Sequence, residues 1–285
     1  MLKKILPALL LMFSVVLFTG CAPDRGQTQG DENTIVVAGS TTVTPVMRAL
    51  ADAFTAANSD ITIEVQELGT SAGINATIQG VSNIAMSSRT MSDAEIEQGI
   101  TPIAIAIDGV AVVVHPSNPV RNLTLNQITA IFRGDITNWN EVGGNNDPIT
   151  VVSREEGSGI RQTFESFASV QDEIEVGSNI IMASAVANSA LISQGTGGVI
   201  ASVSGNPNAI GYVTTGVVAD GLSSVSVNGV AFSETAVLDG DYIFANTFFI
   251  GIMENTSDAA QQFVDFILSE SGQNVISDTG YVRIQ

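Results

Sequence analysis

Short apolar runs along this chain are each followed by a polar turn rich in glycine and hydroxyls, and then by apolar positions at helical spacing. Thr34 to Ala38 (TIVVA) has the length and composition of a strand. Gly39-Ser40-Thr41-Thr42 follows, and Thr44-Pro45 then offers an N-cap and a proline at the first helical position, ahead of Val46, Met47, Leu50 and Phe54. The grammar recurs. Ile61, Ile63 and Val65 alternate as in a strand, and Gly69-Thr70-Ser71-Ala72-Gly73 leads into a helix over Ile74 to Ile78. Ile84 to Met86 runs into Ser87-Ser88-Arg89, after which Ser92 and Glu95 have capping-box spacing. Ile149 to Val152 runs into Ser153-Arg154-Glu155-Glu156-Gly157-Ser158-Gly159, with Phe164 and Phe167 on the helix beyond. Strands alternating with helices predict an α/β protein.

The first residues follow another pattern. Lys3 and Lys4 precede an apolar run from Ile5 to Phe18, which Thr19-Gly20-Cys21 closes. The run falls short of the ~20 apolar residues of a membrane span. Residues 1–20 therefore read as a lipoprotein signal peptide, with Leu17 to Cys21 resembling a lipobox. Cys21 is the single cysteine, so it has no disulfide partner in the chain, and it is expected to carry the lipid that holds the protein at a bilayer. Residues 21–32 are polar, with Pro and Gly, and read as a flexible tether. About 250 residues remain, enough for one large or two medium domains.

Charge narrows the choice of partner. The chain has a formal net charge of −19, and both of its lysines precede Cys21, which leaves eight arginines as the basic side chains of the remainder. Such a field is unsuited to nucleic acid or to anionic lipid surfaces, and an anionic ligand must be held by local donors at short range. A helix N-terminus supplies them: its first N–H groups are unpaired, its dipole is positive, glycine admits a close approach and hydroxyls add donors. Any one such turn could be an ordinary N-cap. Four of them, with Arg154 in the fourth, point to one shared anion site that needs neither a metal nor a cofactor. Catalysis is not indicated, for there is no Gly-Lys-Ser/Thr phosphate loop. His115, the only histidine, precedes a proline with no evident Ser or Cys partner, and Gly157-Ser158-Gly159 is not a nucleophile elbow.

The four turns, in this order, resemble the phosphate-contacting segments of the periplasmic phosphate-binding proteins. Ile131 to Trp139, followed by Val142-Gly143-Gly144, and Gly280-Tyr281-Val282 near the C-terminus are similar to further signatures of that family, so the resemblance spans essentially the whole chain after the leader. It implies a two-lobed type II periplasmic-binding-protein fold with two crossing hinge strands, acting as a monomer that captures inorganic phosphate for the membrane permease of an ABC transporter. Ile103 to His115 and Tyr242 to Ile252 are the expected crossings, with lobe 1 formed by 33–110 plus 246–285 and lobe 2 by 111–245. The implied ligand contacts are Ser40, Thr41, Thr42, Thr70, Ser71, Ser88, Arg154, Ser158 and the Gly159 backbone.

Two departures bear on specificity. Ile160 stands where the family often has Thr, and Ser88 stands where some relatives carry an aspartate that accepts the proton of the phosphate. Asp108, in an Asp-Gly pair at a crossing, is the expected substitute, with a plain turn aspartate as the alternative. These departures keep sulfate, molybdate and tungstate open as ligands, and a phosphate-ester hydrolase as a further alternative. Arg89 is expected to pair with a carboxylate near the site and need not touch the ligand, while Glu155 and Glu156 either orient Arg154 or form a solvated acidic face.

Overall fold

The computed structural model describes residues 33–177, 179–218 and 221–284. The expected signal peptide (1–20), the expected tether (21–32) and Cys21 lie outside the described residues.

The first strand-turn-helix unit is β1 (Thr34–Gly39) with α1 (Thr44–Ala57), followed by β2 (Thr62–Glu67) with α2 (Thr70–Ile78). Next come β3 (Ile84–Ser87), α3 (Asp93–Ile96) and the long β4 (Thr101–Val114). The chain goes on through β5 (Asn122–Leu123), α4 (Leu125–Arg133), a 3-10 turn (Trp139–Val142), β6 (Thr150–Arg154) and α5 (Gly159–Phe167). A ribbon, β7 (Gln171–Val176) with β8 (Asn179–Ser184), precedes β9 (Leu191–Ser193) and α6 (Gly195–Ser204). Then follow β10 (Ala209–Thr214), a 3-10 turn (Thr215–Val217), β11 (Ser223–Val227) and α7 (Glu234–Leu238). The return strand β12 (Ala245–Ile252), α8 (Asp258–Leu268) and α9 (Glu270–Asp278) complete the chain.

One ten-stranded sheet carries nearly all of this, in the order β2-β1-β3-β12-β4-β10-β6-β9, with β11 pairing β4 and β5; β7 and β8 form a ribbon of their own. The crossings are β4 and β12. From Thr101 to Gly109, β4 pairs antiparallel with β12, and from Val110 to Val114 it pairs with β10. Side chains alternate across a strand, so Val110, Val112 and Val114 enter the core beneath Trp139, Phe132 and Phe164, while Ala111 and Val113 face α6 through Val199 and Val203. A separate core joins Ile35 and Val37 of β1 to Leu50 and Phe54 of α1, Phe248 and Ile250 of β12, and Phe263 of α8. The C-terminal Val282 exchanges backbone hydrogen bonds with Ile107 of β4 at 2.8 and 2.9 Å, which ties the chain end to the crossing.

Two helix starts differ from the sequence expectation. The N-cap of α1 is Val43, one residue early, and the Thr44 hydroxyl instead donates to the Ser40 carbonyl at 3.1 Å. Helix α2 begins at Thr70, four residues before Ile74, because Gly69 adopts φ +86° and turns the chain directly into the helix. Gly73 therefore sits inside α2, where a Cβ would run into the backbone of Ala38 and Gly39; its absence lets the helix lie against β1.

Candidate anion-binding site

The polar turns meet where the strand ends face helix N-termini. The Ser40 hydroxyl donates to Ser88 Oγ at 2.9 Å, and Thr70 Oγ1 lies 3.3 Å from the same oxygen. Gly159 is packed against this trio: a Cβ there would stand 2.7 Å from Ser88 Oγ and nearer still to Thr70 Oγ1. Ser88 is fully buried, and its carbonyl is held by Asn246 Nδ2 at 3.0 Å and by Thr163 Oγ1 at 3.1 Å. So β3, α2, α5 and β12 fix one buried group of hydroxyls.

At the N-terminus of α5, Ser158 accepts the Arg161 N–H at 3.4 Å and so caps the helix, leaving its own hydroxyl hydrogen to donate elsewhere. No hydrogen bond within the described residues engages the N–H groups of Gly159 or Ile160. The Ile160 side chain is buried in the core with Phe132 and Phe164, so what this residue offers the site is backbone.

Arg154 closes the other side. It is buried, and two of its guanidinium nitrogens are committed to Glu155: Nε to Oε2 at 2.8 Å and Nη2 to Oε1 at 2.7 Å. Nη2 also donates to Thr41 Oγ1 at 3.2 Å. Burial opposes ionisation of Glu155, but the bonds from Arg154, its charge, and the backbone N–H groups of Glu155 and Gly195 outweigh it and hold the carboxyl below the usual range. Thr41 reaches further, for its Oγ1 accepts the Thr196 N–H at 3.3 Å and lies 3.3 Å from Thr196 Oγ1, which is itself 3.4 Å from Thr42 Oγ1. The carboxylate of Glu155 accepts the neighbouring Gly195 N–H at 3.2 Å. A cleft of about 590 Å³ opens beside this ring, bordered by Thr41, Ser71, Glu155 and Gly195.

A family model described as a PBP superfamily domain matches residues 23–271. The phosphate-binding protein PstS of Borreliella burgdorferi is 28% identical over 301 residues, covering 100% of both chains. A crystal structure from Clostridium perfringens, of a protein assigned as a phosphate ABC transporter substrate-binding protein and containing bound phosphate, superposes with a TM-score of 0.82. It is 38% identical and is matched over 89% of this chain and 100% of its own. The chain belongs to the phosphate-binding proteins of ABC transporters. An ABC-type phosphate transport receptor from Vibrio cholerae is also similar, at TM-score 0.70 and 32% identity over 87% of this chain and 99% of that one. The fold is thus the type II periplasmic-binding-protein fold, and the family is one of binding proteins, not enzymes.

Of the residues picked out in the sequence on this family's pattern, Ser40, Thr70, Ser88 and Gly159 come together directly, and Thr41 joins them to Arg154. Ser71 stands at the rim, where its N–H donates to the Gly157 carbonyl at 3.3 Å and its hydroxyl accepts from Arg89 at 3.2 Å. Arg89 forms a two-pronged pair with Glu95 at 2.7 and 2.8 Å, so its partner is the carboxylate that also completes the capping box of α3.

Asp108 lies apart. Among the described residues it makes no hydrogen bond to the hydroxyl group; its Oδ1 accepts from Thr215 Oγ1 at 2.8 Å, and its Oδ2 is buried without a partner, as are Thr214 Oγ1 and Tyr281 Oη. Burial raises its carboxyl to about 7, against the lowering effect of the polar groups around it, the Thr214 and Thr215 side chains and the Gly109 and Thr215 backbone. Thr196 is the residue that sequence reading missed. The signal was there: Leu191 to Ser193 followed by Gln194-Gly195-Thr196-Gly197-Gly198 is a fifth strand, polar turn and helix.

Proposed function

We propose that this chain is an extracytoplasmic binding protein that captures inorganic phosphate and hands it to the permease of an ABC transporter, tethered to the membrane by lipid on Cys21. The observation that carries the reading is the convergence of Ser40, Thr70 and Ser88 on Gly159, at a helix start where Ser158 is the cap and the Gly159 and Ile160 N–H groups are free, with a pre-aligned Arg154 bonded to the neighbouring Thr41. Hydrogen bonds with a charged partner contribute ~1.5–3 kcal/mol each and micromolar affinity needs ~8 kcal/mol, so one guanidinium with several neutral donors suffices. The phosphate bound to the similar C. perfringens protein supports the choice of ligand.

The separate cores on either side of β4 and β12 support a division into lobes at 33–110 plus 246–285 and 111–245, which close over the ligand as a monomer. The bonds that Thr41 accepts from Arg154 and from the Thr196 N–H are contacts such a closed form makes. With Asp108 turned to Thr215, the proton of the phosphate is taken by a serine or threonine hydroxyl, each of which keeps acceptor lone pairs while donating.

Calorimetric titration with phosphate, sulfate and molybdate tests the proposal. Phosphate is expected to bind at micromolar concentration or below, and the other two at least roughly tenfold more weakly. A protein that leaves phosphate unbound, or prefers either rival, is something else.

A further inference from the structure

Arg154 is held by its backbone as well as by its side chain. Its N–H donates to Tyr212 Oη at 3.3 Å, and its carbonyl accepts from Arg161 Nη1 at 2.9 Å. Arg161 stands in the first turn of α5, and its Nε donates to Glu165 Oε1 at 2.7 Å, one turn further on. The Glu165 side chain is only 4% exposed, and the same oxygen accepts from Ser184 Oγ of β8 at 2.7 Å. Neither Arg161 nor Glu165 is among the residues expected to contact the ligand.

Stability alone does not explain this arrangement. Taking an ion pair out of water costs about as much as the pair regains, and apolar side chains of similar volume would pack as well. What a guanidinium adds is a rigid fork that reaches two acceptors at fixed angles, which the single ammonium of lysine cannot reproduce. Here the two acceptors are Glu165 and the Arg154 carbonyl. That carbonyl belongs to the peptide joining Arg154 to Glu155, the residue whose carboxylate sets the plane of the Arg154 guanidinium. Rotation of this peptide would move both members of the pair.

We propose that Arg161, braced by Glu165, is a positioning residue for Arg154: it locks the 154–155 peptide so that the guanidinium meets the bound oxyanion in one orientation. The inference rests on the reading of the site as a phosphate site. It differs from plain attraction by a second cation, which a lysine would supply equally, and from a general contribution to folding, which would be felt whether or not Arg154 were present.

A double-mutant cycle followed by phosphate titration separates these cases. Arg161→Lys is expected to weaken phosphate binding roughly tenfold in the otherwise unchanged protein and less than about twofold in the Arg154→Ala background, with the thermal midpoint unchanged. Glu165→Gln, which keeps the shape of the brace, is expected to show the same dependence on Arg154, and it carries the test if Arg161→Lys folds poorly. An equal loss in both backgrounds, or no loss in either, overturns the proposal. Failure of the unsubstituted protein to bind phosphate overturns instead the reading beneath it, and the positioning role with it.

Discussion

Glu155 takes two nitrogens of Arg154, Nε at 2.8 Å and Nη2 at 2.7 Å, and so leaves Nη1 as the one with both hydrogens to offer. Arg154→Ala removes the only cation in the group and leaves a carboxylate beside the ligand. Phosphate affinity should fall by ~2–3 kcal/mol or more, roughly two orders of magnitude. Glu155→Gln keeps a weaker bond and should cost less, about tenfold. Calorimetric titration checks both, and an Arg154→Ala protein that binds as before would make this turn purely structural.

Gly159 tests how closely the two sides of the site approach. Alanine is compatible with a helix start, so the fold should survive, but its Cβ would press on Thr70 and Ser88. Gly159→Ala is expected to lose phosphate binding while circular dichroism shows the secondary structure retained. Wild-type affinity in that variant would place the ligand elsewhere.

Asp108 predicts a pH dependence of stability. Below pH 3.8 its carboxyl is protonated in folded and unfolded chains alike; between 3.8 and about 7 only the unfolded chain ionises, so stability falls as pH rises and then levels off. The titratable groups facing it are Tyr242 and Tyr281, both pushed up by burial and then by the charge of Asp108 itself, and neither supplies a counter-charge. Asp108→Asn should therefore gain stability relative to wild type, by up to ~4 kcal/mol at pH 8 and by little at pH 4. Its phosphate-to-sulfate affinity ratio should stay as it was, because the carboxylate is engaged with Thr215. A ratio that narrows would return the proton-accepting role to Asp108.

The proposed membrane tether rests on one residue, Cys21. Cys21→Ser should abolish incorporation of labelled fatty acid and release the protein from the membrane fraction, while phosphate titration of the released protein is unchanged. Lipid incorporation that persists in the variant would disprove the assignment.

Much of the fold could be read from the chain because its signals are local. Hydroxyl-rich turns after short apolar runs, three of the four with glycine, marked the strand-to-helix junctions of β1, β2, β3 and β6, and a capping box marked α3. The start of α2 was misplaced because Thr70 and Ser71 are as acceptable in a turn as in a first helical turn, and the choice was made by the backbone angle of Gly69. Thr196 went unnoticed because it lies 155 residues from Thr41, and nothing in either segment announces the other. Arg161 and Glu165 have ordinary helical i,i+4 spacing, the usual mark of a solvated surface pair; only tertiary packing buries them. The direction of the Asp108 side chain was equally invisible, since it depends on where β10 ends and Thr215 begins.

The position of β12 in the sheet has a consequence for how the molecule is made. This strand lies between β3 and β4, yet it is synthesised last of the three, at residues 245–252. Until it emerges, β3 and β4 have no bridge between them, and the core that holds β1 and α1 also lacks α8 and α9. The segment between the crossings, by contrast, has its own apolar interior almost complete by Phe244. The middle of the chain can therefore consolidate first, while the N-terminal strands wait for the final forty residues or so. Closure of the sheet around β1 is thus a late event, set by the last strand of the chain to become available.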